Sequence, residues 1–176
     1  MIEIISSIYH YILQNFVFVG GLAAGLKWIY EYSEKRKFEK SKFLLERVEK
    51  FDDLQNTKLV KQMLDWNKSK FTINGKVTVI SDATLIEALI THDKKQQYTD
   101  DEVWIRGQFD EYFDNLNEFI LLSEYGLIDK KNLKKMMKYW IEILNGQKNV
   151  KKKQFAISIK NYLLFYGYHD VAAFIA

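Results

Sequence analysis

One stretch limits what this chain can become more than any other. From Ile4 to Leu26 the sequence reads IISSIYHYILQNFVFVGGLAAGL, 23 residues without a charge. As an α-helix, at ~1.5 Å per residue, it would span roughly 35 Å, enough to cross a bilayer core of ~30 Å. Glu3 bounds one end and Lys27 the other. Trp28, Tyr30 and Tyr32 follow, where an interfacial aromatic belt would lie. Lys35, Arg36, Lys37, Lys40 and Lys42 come next, and no basic side chain precedes the run. The positive-inside rule then places the C-terminal side in the cytoplasm and the short N-terminus outside. The expectation is a single-pass protein of the inner (cytoplasmic) membrane, anchored through residues 1–27.

Three other readings compete. A cleaved signal peptide needs a basic leader, and Glu3 stands in its place. A buried core helix is favoured by Ser6, Ser7, His10, Gln14 and Asn15, which dilute the run. An amphipathic helix lying in the interface would carry charge on its polar face, and this run carries none.

The polar and small residues follow a pattern. Ser7, Gln14 and Gly21 are spaced by seven, His10 lies between the first two, and Gly25 completes a G-x-x-x-G with Gly21. On a helix these fall along one stripe. Lipid tolerates Gln and His poorly, so the stripe is expected to face protein or water. Two arrangements fit: a dry homo-oligomeric interface, or a narrow pore lined by Ser7, Gln14 and His10.

The rest reads as helical. The chain has neither Pro nor Cys, so nothing forbids long helices, and disulfides and thiolate metal sites are excluded. The pattern predicts a stalk helix over 28–52, then a cytoplasmic helical domain over 53–176. Its elements are a helix capped by Asn56 or Thr57 and running to Trp66, a hairpin turning at Asn74-Gly75, and a short helix from Ala83 capped by Ser81 or Asp82. A polar linker, HDKKQQYTDD, leads to three longer helices over about 100–125, 129–145 and 151–176. Gly126 and Gly146 stop the first two, and Gly167 offers a point of interruption within the third. The expected inward residues of these helices include Trp104, Phe109, Phe113, Leu116, Phe119, Ile120, Met136, Trp140, Phe155 and Tyr162. The fold class expected is mainly α, one transmembrane helix followed by a helical bundle with a small β-hairpin insert.

Chemistry is sparse. His10, His92 and His169 lack metal-ligand spacing, and no phosphate loop or nucleophile elbow occurs. No catalytic residue, metal ligand or cofactor is therefore expected. Asp110, Glu111, Asp114 and Glu118 read as a solvated helix face, with Arg106 paired to Asp110 one turn on. Lys131, Lys134, Lys135 and Lys138, with Lys151, Lys152 and Lys153, read either as solvated faces or as an anion surface for a nucleotide, nucleic acid or anionic lipid. The formal net charge, +3 over 176 residues, does not decide between them. YGYHD, Tyr166 to Asp170, reads as packing at a helix end or as a base-stacking platform.

Three segments carry a resemblance: the N-terminal run, FEKSKFLLERVEKFDDLQNTKLVKQMLDW, and VWIRGQFDEYFDNLNEFILLSEYGLIDKKNLKKMMKYWIEIL. Together they resemble an uncharacterised family of small bacterial membrane-anchored helical proteins that accompany phage-defence genes. The resemblance implies a membrane-tethered cytoplasmic helical domain and assigns no chemistry. The function expected is a non-enzymatic, self-associating membrane effector or interaction protein, in its sharper form a gated pore. The alternatives are a passive tether recruiting a protein, nucleotide or nucleic-acid partner, and an enzyme without a recognisable motif.

Overall fold

A computed structural model describes residues 2–148, 151 and 153–176, with side chains from residue 21 onward. The protein is mainly helical with one antiparallel hairpin. It divides into two units, Met1–Lys42 and Phe43–Ala176. Helix α1 (Ile2–Asp53) supplies the first unit and the opening turns of the second. Among the described residues no helix is long and apolar enough to cross a membrane. The side chains of residues 4–20, most of the expected anchor, lie outside those described.

The second unit is built around α4 (Asp100–Glu124). Leu44 and Phe51 of α1 are buried, with Phe43 and Val48 packed against the same core. Helix α2 (Gln55–Asp65) follows through Leu54, which caps it with no side-chain hydrogen bond. The cap expected at Asn56 or Thr57 is not there. Both side chains are buried in the helix's first turn instead.

Strands β1 (Lys68–Ile73) and β2 (Lys76–Ser81) pair in register from Lys68–Ser81 to Ile73–Lys76. Asn74 and Gly75 turn the chain with φ of 50° and 79°, which Asn and Gly adopt at low cost. Phe71, Ile73 and Ile80 face the core. Ser81 then caps α3 (Asp82–Ala88) in a reciprocal box with Thr84. A second box, between Thr99 and Glu102, opens α4.

Helix α4 buries Ile105, Arg106, Phe109, Tyr112, Phe113, Leu116, Phe119 and Ile120. Trp104, expected inside, is half-buried against Phe71. The aromatic core runs outward from α4. Phe51 meets Tyr112 and Phe119, with ring centroids 5.3 and 5.5 Å apart. Phe109 meets Phe155, and Phe113 meets Tyr162 and Tyr168.

Both C-terminal helices are divided, the first where a single piece was expected and the second at the glycine that the sequence offered for an interruption. The first is α5 (Lys130–Met136) and α6 (Lys138–Leu144), broken at Met137. Neither Gly nor Pro marks that break. Leu133, Met137, Ile143 and Leu144 are buried, whereas Met136 is exposed and Trp140 half-buried under Lys61. The second is α7 (Lys153–Phe165) and α8 (His169–Ile175), divided where Gly167 takes φ 84°.

Gly126 and Gly146 both adopt positive φ, but a Cβ at Gly126 would meet nothing, whereas one at Gly146 would lie 2.9 Å from the Ala156 Cβ. Gly126→Ala is expected to cost about 1–2 kcal/mol from backbone strain alone. Gly146→Ala adds overpacking of roughly 1–3 kcal/mol. Urea unfolding of the two variants checks the order.

Candidate functional site

The densest polar cluster of the second unit centres on Arg106. Its position on α4, one residue past Ile105, places it at the end of α3 and beside α7. Only 8% of the residue is exposed. Nη1 donates to the carbonyls of Ala88 and Ile90 at 2.8 and 2.9 Å. Nη2 donates to the Tyr166 hydroxyl at 2.6 Å and lies 3.4 Å from His92 Nδ1. The guanidinium carbon sits 4.4 to 5.2 Å from the ring centroids of Tyr98, Tyr162 and Tyr166.

The Tyr166 hydroxyl accepts from Arg106 and also pairs with His92 Nδ1. Tyr98 donates to the same Ile90 carbonyl that Arg106 holds. The segment expected as a polar linker is thus fastened to α4 and α7. Lys95 completes the fastening, 2.6 Å from Glu102 and 3.5 Å from Glu87. Partial burial pushes the Glu102 carboxyl up, but Lys95 and the Thr99 amide outweigh it and hold it below the usual range.

Arg106 therefore does not form the helical pair expected with Asp110. Asp110 instead accepts from the Tyr162 hydroxyl at 2.6 Å, and Asp114 from Tyr168 at 3.0 Å. These two carboxylates tie α4 to the C-terminal helices, which corrects the reading of a wholly solvated face. Burial raises the Asp110 pKa against the opposing pull of Tyr162 and Arg106. Tyr166 and Tyr168 of YGYHD are committed to these contacts. Both are half-buried, and their contacts are those of packing at a helix end.

The lysines also divide. Lys131, Lys134, Lys135, Lys138 and Lys153 are exposed. Lys134 covers the Phe174 ring, and Lys138 lies 3.7 Å from Glu142. Lys151 is removed from any anion surface. Its side chain is 1% exposed, its Nζ is 2.7 Å from Asp82 Oδ1, and it donates to the Trp66 carbonyl. Lys152 lies outside the described residues, as do the side chains of Ser7, His10 and Gln14.

Gly21 and Gly25 are exposed, with nothing within 4 Å of a Cβ built on either. Around and beyond them Leu22, Leu26, Trp28, Ile29, Tyr30 and Tyr32 are between 51% and 68% exposed. Trp28 stacks on Tyr32 one turn on, 5.7 Å between centroids. Among the described residues no three His, Asp or Glu side chains converge as metal ligands. Clefts occur between the α1 end and α4, lined by Arg47, Phe51, Leu54 and Phe119, and beside α8, lined by Leu144, Leu163 and Ile175. Neither gathers a nucleophile with a base. In comparisons with known proteins the chain matches no family model, no curated protein and no solved structure.

Two outcomes follow from the Arg106 cluster. Arg106→Met takes the donor from the Ala88 carbonyl, one of two donors from the Ile90 carbonyl and one donor from the Tyr166 hydroxyl, and is expected to destabilise the unit by about 3 kcal/mol in urea unfolding. Asp110→Asn tests linkage. A carboxyl whose folded pKa lies above its unfolded value loses stability as pH rises through that window. The variant's stability relative to wild type should therefore improve from the ordinary carboxylate range upward, read by paired urea titrations across mildly acidic pH.

Proposed function

We propose that this chain is a membrane-anchored, self-associating interaction protein, held in the inner membrane by residues 4–26 with Phe43–Ala176 as its cytoplasmic folded unit. The observation that carries this reading is the row of exposed apolar and aromatic side chains from Leu22 to Tyr32. A soluble helix rarely leaves so many large apolar side chains uncovered along so short a length. The row overlaps the end of the charge-free run and leads into the basic cluster that starts at Lys35, the order expected of a helix leaving a bilayer. Gly21 and Gly25 support self-association, because their open surface lets a second helix approach closely. The resemblance to membrane-anchored helical proteins found beside phage-defence genes fits an effector role, with the folded unit receiving the signal.

A second reading, a tether that recruits an acidic partner, is favoured by the exposed lysines of α5, Lys130, Lys131, Lys134 and Lys135. Both readings require the anchor. The full chain is expected to stay with membranes through alkaline carbonate washing, whereas the fragment 43–176 stays in the supernatant and melts cooperatively. Release of the full chain by carbonate contradicts the anchor.

A further inference from the structure

The formal charge of the chain is concentrated in one place. Residues 33–42, SEKRKFEKSK, hold five cations and two carboxylates, a net +3, which equals the net charge of all 176 residues. The remaining lysines and arginines are balanced by acids, and many are engaged in pairs within the folded unit, such as Lys61 with Asp52 and Lys95 with Glu102. The basic decade lies on α1, directly after the exposed Trp28, Tyr30 and Tyr32. Lys27 is 3.7 Å from Glu31 and Lys37 is 2.7 Å from Glu34, so part of the charge is spent locally.

We infer that residues 33–42 form a docking surface for anionic lipid headgroups, with Lys35 and Arg36 as its principal contacts. This rests on the reading of residues 4–26 as a membrane anchor. The geometry follows from the helix. With Leu26 at the edge of the hydrocarbon core, Arg36 lies ~15 Å farther along and Lys42 ~24 Å. The headgroup layer takes up roughly 5–8 Å of this on each side. Side chains on a helix tilt toward its N-terminus, here toward the bilayer, and long basic side chains snorkel. Lys35 and Arg36 therefore reach back to the headgroups. Lys40 and Lys42 remain about one Debye length away, where the surface potential of anionic lipid has decayed. The aromatic residues fix the depth, and the cations select the lipid.

The chain contains no cysteine, so a Ser33→Cys variant takes a single environment-sensitive fluorophore beside the decade. The full chain is reconstituted in mixed phosphatidylcholine–phosphatidylglycerol vesicles in which one lipid or the other carries a short-range energy-transfer acceptor on its tail. At about 0.1 M salt, where the Debye length is ~10 Å, quenching by labelled phosphatidylglycerol is expected to exceed quenching by labelled phosphatidylcholine at equal mole fraction. The difference should collapse in about 1 M salt, where the Debye length is ~3 Å. Lys35→Gln with Arg36→Gln should abolish the preference, and Lys40→Gln with Lys42→Gln should leave most of it. Equal quenching by the two lipids in the parent protein overturns the headgroup proposal while leaving the anchor intact. So does a preference unchanged by Lys35→Gln with Arg36→Gln. Failure of the protein to float with either vesicle overturns the anchor and the proposal together.

Discussion

The folded unit depends on burying one positive charge that has no carboxylate bonded to it. Moving a guanidinium out of water costs several kcal/mol unless its donors are met. Arg106 meets that requirement with the Ala88 and Ile90 carbonyls, the Tyr166 hydroxyl and three tyrosine rings. Each partner comes from a different part of the chain: the end of α3, the segment that follows it, and α7. The requirement works in both directions. The Ala88 carbonyl closes α3 beyond the reach of its own ladder, as at every helix end, and the arginine supplies its donor. Satisfying one buried group thereby fixes where three elements meet.

A second tie of the same kind stands at Lys151. Its ammonium joins Asp82 at the start of α3 to the Trp66 carbonyl at the end of α2. The two ties secure opposite ends of α3, a helix of only 7 residues that would not persist alone. The aromatic core of α4, where Phe109, Tyr112 and Phe113 are wholly buried, supplies the apolar part. The unit therefore combines ordinary apolar packing with a few long-range polar fastenings, and those fastenings use the residues that look most like chemistry in the sequence.

That is why the fold was more legible than its details. The hairpin was readable because Asn74-Gly75 determines its turn locally, and the glycines at 126, 146 and 167 end or divide helices through their own φ. The Ser81 cap was equally local. The ties were not local. Arg106 and Tyr166 are separated by 60 residues and Lys151 and Asp82 by 69, so spacing along a helix suggested an Arg106–Asp110 pair and an exposed Lys151 instead. The break at Met137 and the uncapped start of α2 carry no sequence signal at all. The candidate interaction surface is legible only as a pattern: Gly21 and Gly25 form a G-x-x-x-G, and among the described residues nothing lies within 4 Å of a Cβ built on either.

Phe43–Ala176 buries a core of its own, whereas no residue described between 21 and 42 is buried. Hydrogen exchange of the full chain, with and without a lipid bilayer, tests that contrast most directly. Amides of residues 4–26 should be strongly protected in the bilayer and much less so outside it, while the protection pattern of 43–176 stays the same in both. Rapid exchange of 4–26 within the bilayer, or protection of 43–176 that appears only with lipid, would contradict it.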